Sequence, residues 1–232
     1  MVLRRARGYV PLPIELKRPM PASLAVGGHL KNTIAIGRGT QAILSQHLGD
    51  LDSSLTQKLY KSTIEDLKRF YDCKPKRIMH DLHPDYASSL SAKRLGGNHH
   101  PVQHHYAHVL SCMAEHGLEP PLLGIAWDGN GLGADNTLWG GEFLLITERG
   151  FERYAHLRYF SLPGGHKAIR EPRRAALGLL YEIMGEELFT QDNIACLKYF
   201  SEQEIALLES ALKKHLNAPT TSSAGRLFDA VA

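Results

Sequence analysis

The most constraining feature of this chain lies between residues 122 and 142. Leu122-Leu123-Gly124-Ile125-Ala126-Trp127 is an apolar run too short for an ordinary helix. It enters Asp128-Gly129-Asn130-Gly131-Leu132-Gly133-Ala134-Asp135 without a break, and Trp139-Gly140-Gly141-Glu142 follows. The pattern predicts a buried strand, a glycine-rich reversal and a second strand. Glycines there let backbone N–H groups approach a ligand such as phosphate, and an acid at the strand end can hold a metal or orient a nucleophile. The same pattern also describes a plain glycine-rich hairpin with acidic turn residues.

Upstream lies Gln103-His104-His105-Tyr106-Ala107-His108. In a helix, positions 104 and 108 fall on one face, one turn apart, which suits two ligands of a single metal, although such a pair alone is more often a surface or core pair with ordinary hydrogen bonds. No HExxH glutamate is present, so this is not a typical zinc-protease helix. Imidazole with carboxylate ligation suits zinc or iron.

A second glycine turn lies near the start. Ser23 to Val26 and Thr33 to Ile36 flank Gly27-Gly28-His29-Leu30-Lys31-Asn32, a pattern of strand, tight turn and strand. Lys31 could neutralise a phosphate and Asn32 could orient one. Neither a GxxxxGK[ST] loop nor a helix-opening GxGxxG is found.

Residues 1–21 read as a linker, because Pro11, Pro13, Pro19 and Pro21 oppose helix and central strand. Ser54-x-x-Gln57 reads as a capping box opening a helix over 54–72. Further helices are expected at 85–94, 104–116 (closed by Gly117), 168–185 and 202–216 (capped by Ser201-x-x-Glu204), and from Ser222 or Ser223 onward. Strands are expected at 77–80, 122–127, 143–147 and 154–160. Hairpins followed by alternating strands and helices indicate an α/β fold with a mixed sheet. Two glycine hairpins with a metal-binding helix between them suggest an actin-like ATPase architecture.

Composition excludes several classes. Of 232 residues, 43% are hydrophobic and 22% charged, with a net charge of only +3. That is ordinary for a globular protein and leaves no footprint for duplex nucleic acid. The basic run Arg4-Arg5-Ala6-Arg7 is read as a solvated tail. No apolar stretch reaches the length of a membrane span, and no signal peptide is read, so a cytoplasmic setting is expected. Cys73, Cys112 and Cys196 form no CxxC pair and are read as packing residues or free thiols, Cys112 as packing.

These stretches together resemble the Kae1-like carbamoyltransferase core of the hydrogenase-maturation HypF family, related to Kae1/TsaD. The matching segments include Arg4 to Tyr9, Ala25 to Thr33, Ser45 to Asp50, His80-Asp81-Leu82-His83-Pro84 and Val102 to His108. They continue through Trp127 to Glu142, Leu162 to Gly165, Ile169 to Pro172 and Thr221 to Ala232. The resemblance implies the first lobe of an actin-like ATPase (ASKHA) fold with a mixed β-sheet and flanking helices, the second lobe mostly missing. It also implies a reaction. Carbamoyl-adenylate from a neighbouring domain is bound in the cleft, and its carbamoyl group passes to the C-terminal cysteine of a partner, HypE, which makes a cyanide ligand for the NiFe centre.

Carried over, His104 and His108 form the metal pair, for zinc or iron. Gly28, Lys31, Asn32, Gly129, Asn130, Gly131, Gly133 and Arg226 serve the nucleotide, ATP or carbamoyl-adenylate. Asp128 and Lys31 carry the catalytic assignments. Tyr106 departs from the family's usual third histidine. The family's serine-glycine-glycine loop and its late metal-binding aspartate are not found here. The expected organisation is therefore a linker at 1–21, one lobe at 22–219 and the start of a second lobe at 220–232, in a truncated or split form that works with the remaining HypF domains. Alternatives are an O-carbamoyltransferase of the antibiotic-tailoring or nodulation type, or a non-catalytic fragment.

Overall fold

The computed structural model describes residues 8–191 and 193–232; the run Arg4 to Arg7 lies outside the described residues. The chain divides into two compact units at Glu119 and Pro120.

The first unit is a four-stranded mixed sheet ordered β2-β1-β3-β4. Strand β1 (Ile14–Ala25) runs antiparallel to β2 (Ala35–Leu44) and parallel to β3 (Arg77–Asp81), which in turn runs parallel to β4 (Asn98–Val102). The glycine hairpin is thus real but longer than expected. Its first strand begins within the residues read as a linker. Pro19 and Pro21 are tolerated because the β1–β2 register shifts on either side of Met20 and β3 joins β1 only from Ser23. Strand β4 escaped the sequence reading because His99, His100 and Pro101 carry no apolar alternation; as an edge strand it accommodates the proline.

Helix α1 (Ser54–Phe70) buries Tyr60 and Ile64 against Leu24, Ile36 and Ile78 of the sheet. Its cap is Ser53 rather than Ser54: Ser53 Oγ accepts the Thr56 N–H, and Gln57 donates its side-chain amide to Leu51 O. Helix α2 (Ala87–Ala92) is shorter than expected, and α3 (His104–His116) ends on Gly117 at φ 59°, the left-handed stop that glycine favours.

The second unit is a five-stranded sheet. Strand β5 (Leu122–Leu132) pairs antiparallel with β6 (Leu138–Thr147), so the glycine segment is a bulged β-hairpin rather than a loop opening a helix. Residues 122–127 are buried on one face only, since Gly124 and Ala126 are inside while Leu123, Ile125 and Trp127 are exposed. On its other side β6 has two partners in succession. Leu138 meets β9 (Thr220–Thr221), and from Glu142 onward the partner is β7 (Gly150–His156). Strand β8 (Phe160–Ser161) closes the order beside β9.

The helix expected over 168–185 is two helices, α4 (His166–Arg170) and α5 (Pro172–Met184). Pro172 lacks the N–H that would continue α4 and holds Glu171 in an extended conformation, φ −119° and ψ 88°. Helix α6 (Glu202–Lys213) starts on the Ser201/Glu204 capping box. Helix α7 (Ala224–Val231), capped by Ser223, packs Leu227 and Ala230 against Phe160, Leu162 and Ala175. Residues 220–232 pack within the second compact unit, and the boundary between the two units falls inside the stretch 22–219. Sequence patterning missed this because the contacts that bind 220–232 to β6, β8 and α5 span tens of residues. Cys112 is exposed, not packed, whereas Cys73 is buried.

Where β9 and β7 part, β6 needs another partner, and Glu142 provides it. Its carboxylate is fully buried and accepts four hydrogen bonds, from Gly140 N–H (3.0 Å), Gly141 N–H (3.2 Å), Ser222 Oγ (2.5 Å) and Arg153 Nε (2.6 Å). Burial alone would raise its pKa, but these donors and the Arg153 charge outweigh burial and hold it below the ordinary carboxylate value.

In folded protein the Glu142 pKa is depressed, so its contribution is complete above the unfolded value of roughly 4.3 and is lost as pH falls through the folded value. Urea melts followed by Trp127 and Trp139 fluorescence, both in this unit, should show stability falling below about pH 4. Glu142→Ala should cost about 3–5 kcal/mol at neutral pH by removing the buried acceptor shared by Gly140, Gly141, Ser222 and Arg153, and should flatten that acid limb. Separately, a Cβ at Gly178 of α5 would lie 2.9 Å from the Ser161 carbonyl carbon and 3.1 Å from Pro163 Cδ. Gly178→Ala should destabilise the same unit by about 1–3 kcal/mol, more than its gain in helix propensity, in the same melts.

Candidate functional site

In the first unit the two predicted metal ligands converge. Gln103 caps α3 by accepting the Tyr106 N–H, which starts the helix at His104 and sets His104 and His108 one turn apart. Their Nε2 atoms are 3.2 Å apart. Two nitrogens bound at roughly 2.05 Å to one tetrahedral ion would be separated by about 3.3 Å, so the pair is spaced for one metal. The opposite nitrogen of His104, Nδ1, lies 2.7 Å from Asp81 Oδ2. A carboxylate only accepts, so a neutral His104 that donates through Nδ1 would keep a lone pair on Nε2. The donor set fits a divalent ion that prefers imidazole, zinc or iron. His105 is turned away into the core with no exposure and bonds Gln103.

The 26–32 turn passes beside this pair. A Cβ at Gly28 would sit 3.7 Å from His104 Cε1, so the turn's backbone lies close to the imidazole. The turn is pinned from below by His29, which contacts Asp52 (2.9 Å) and stacks on Tyr86, itself stacked on His83. Lys31 is exposed at φ 49°, and its N–H donates to Asp50 Oδ1 (2.7 Å). Its ammonium is thus carried on a fixed backbone at the surface. Asn32 is 1% exposed and donates its amide to Val26 O (3.0 Å) and Gly28 O (2.6 Å), which ties the turn together.

In the second unit the bulge between Trp127 and Gly131 turns Asp128 and Gly129 out of the β5–β6 ladder. Ser223 Oγ donates to both Asp128 O (2.9 Å) and Gly129 O (2.8 Å) while accepting the Arg226 N–H, so the cap of α7 clasps the bulge. The fit requires missing side chains: a Cβ at Gly140 would meet Asp128 O and Ser223, and one at Gly225 would come within 2.8 Å of Gly129 Cα. Asp128 Oδ1 accepts the Gly129 N–H (2.7 Å). The Arg226 guanidinium reaches Gly129, with Nη2 3.5 Å from where a Cβ would stand, and bonds Asp229 (2.8 Å) and Ile169 O.

The rest of the glycine loop is enclosed by its own hairpin. Gly131 and Gly133 are buried, Gly131 paired with Trp139 and the Gly133 N–H given to Thr137 O. Asn130 Oδ1 is also buried. Asp135 holds the turn by accepting from Thr137, Trp139 and Tyr159; burial would raise its pKa, and these bonds hold it low. Arg153 joins this turn to Glu142, donating to Asp135, Tyr159 and Ser222 and lying 4.0 Å over the Trp139 ring. Sequence reading missed Asp81, Ser223, Glu142 and Arg153, because each acts through partners far away in the chain. Asp81 alone had a local signal, sitting in the His80-Asp81-Leu82-His83 stretch.

Comparison with known proteins gives a consistent result. Residues 18–115 match the family "HypF Kae1-like domain", and residues 124–232 match "Carbamoyltransferase, Kae1-like Domain, second subdomain". The chain is 46% identical to a protein named Carbamoyltransferase HypF from Synechocystis, over all of this chain and 32% of that protein. It is 42% identical to Carbamoyltransferase HypF2 of Cupriavidus necator, over 99% of this chain and 28% of that one. Among solved structures, full-length HypF in a phosphate- and nucleotide-bound form aligns with a TM-score of 0.89 at 40% identity, covering 98% of this chain and 30% of that one. HypF of T. kodakarensis aligns at 0.86 and 33%, covering all of this chain and 32% of its own. The chain spans about a third of the length of these relatives. Within that span the fold, the motifs and the comparisons agree: the chain belongs to the Kae1-like core of the HypF carbamoyltransferase family.

Proposed function

We propose that this chain carries the carbamoyl-transfer site of a hydrogenase-maturation carbamoyltransferase. The donor is carbamoyl-adenylate and the acceptor is the thiol of a C-terminal cysteine on a HypE-type protein. The acceptor sulfur forms a bond to the carbamoyl carbon, the bond from that carbon to the adenylate phosphate oxygen breaks, and AMP departs with the electron pair. The thiol proton passes to solvent. The parts of the longer relatives beyond this chain's span would supply the carbamoyl-adenylate, in the cytoplasm.

The observation that carries the proposal is the His104–His108 pair, with Nε2 atoms 3.2 Å apart. These two residues would hold the zinc or iron ion, which when bound supplies Lewis-acid polarisation of a substrate oxygen. Lys31 neutralises phosphate charge from its fixed surface backbone. Gly28 and Gly129 allow the nucleotide to approach main chain, and Arg226 brings a cation beside Gly129. Asp128, held by the Gly129 N–H, orients the attacking group. Asn32, Gly131 and Gly133 support these segments from within.

The test uses the purified chain with the remaining HypF domains and a HypE-type acceptor supplied. Metal is measured by elemental analysis and transfer by mass spectrometry of the acceptor cysteine. His104→Ala and His108→Ala should each abolish stoichiometric metal and lower transfer by at least about 100-fold. Chelation should do the same to the wild type, and zinc or iron should restore it. Undiminished transfer in a metal-free His104→Ala protein would overturn the reading.

A further inference from the structure

Asp81 ends β3 and is almost fully enclosed, its side chain 5% exposed. Its two carboxylate oxygens do different work. Oδ1 accepts the backbone N–H of His83 (2.8 Å), closing the turn after the strand. Oδ2 accepts from His104 Nδ1 (2.7 Å), on the far side of the ring from the nitrogen that faces His108. The fold makes this meeting possible. Asp81 is in register with Val102 of β4, and Gln103 then caps the helix that begins with His104. The end of one parallel strand is thereby set beside the first turn of a helix entered from the next.

A neutral imidazole can ligate through Nε2 only when the proton sits on Nδ1, and which nitrogen carries it is set by the hydrogen bond the other nitrogen makes. A buried acceptor on Nδ1 removes the alternative and fixes the ring plane at the same time. Ser89 Oγ and His80 Nδ1 both contact Asp81 O, so the backbone that carries the carboxylate is held as well.

We propose that Asp81 is a positioning residue for the metal centre, selecting the His104 tautomer and ring orientation that present Nε2 to the ion. This rests on the reading that His104 and His108 hold a metal, and extends it to a residue that touches no substrate. A purely structural role for Asp81, through His83, makes a different prediction. Asp81→Asn keeps a carbonyl oxygen for the His83 N–H, but it turns an amide donor toward His104 Nδ1. That donor forces the proton onto Nε2, where it blocks ligation.

The experiment has two readouts on the metal-free full chain. Long-range 1H–15N spectra of the imidazoles, with the His104 signals assigned by their loss in His104→Ala, report the tautomer. Zinc affinity is measured by chelator competition. The expected results are an Nδ1–H tautomer for His104 in the wild type, an Nε2–H tautomer in Asp81→Asn, and a loss of zinc affinity of roughly 10- to 100-fold in that variant. Asp81→Glu, which keeps an acceptor, should recover the wild-type tautomer. An Nε2–H tautomer in the wild type overturns the proposal even if Asp81→Asn fails to fold. If the wild type binds zinc, His104→Ala does not, and Asp81→Asn binds as the wild type does, the positioning role falls and the metal reading stands. If the wild type binds neither zinc nor ferrous iron, the metal reading fails and the proposal with it.

Discussion

Glu142 is a carboxylate with no exposure, and its position in β6 governs the second unit. An uncompensated charge at such a place would cost several kcal/mol. It is stable because the break between β9 and β7 leaves two backbone N–H groups, those of Gly140 and Gly141, in need of an acceptor. Ser222 and Arg153 supply the remaining donors. One side chain therefore stitches the sheet to the segment that enters α7. Through Ser223 the same segment clasps Asp128 and Gly129, so the shape of the bulge depends on a charge buried behind it.

The first unit uses a buried carboxylate differently. Asp81 has one oxygen for a turn and one for an imidazole. Glu142 is an anchor for backbone, whereas Asp81 reaches a side chain whose other nitrogen faces a second histidine. In both units a buried carboxylate on a strand sets the geometry of residues that the sequence had already marked as chemical.

Much of this was legible in the sequence, and the reasons differ by element. The spacing of His104 and His108 is a local property of a helix, so their convergence needed only the helix to form. Gly117 and the Ser201/Glu204 box marked helix ends because capping is local too. The glycine run at 129–133 announced a close approach of backbone, but not to what. Gly140 and Gly225 turned out to leave room for Asp128, Ser223 and Gly129 of the same unit, while Gly131 and Gly133 are simply buried. The amide of Asn32 ties its own turn, which the sequence did not show, since a residue type does not say which way its donors point. The prolines in β1 misled for a related reason. Their cost depends on whether a neighbouring strand needs the missing N–H, and that is decided by register shifts that no single segment encodes.

By itself the sequence determined the α/β class, most of its helices and strands, the imidazole pair and the family likeness, because periodicity, capping and motif spacing are written into contiguous residues. Only the tertiary structure decided that the chain forms two compact units, that residues 220–232 close the second of them, that Asp81 meets His104 in the first, and that Glu142, Arg153 and Ser223 brace the bulge at Asp128 and Gly129 in the second. Those four act on partners 11 to 95 positions away in the chain. Contacts of that range form only when the chain is folded, and nothing in the local pattern reports them.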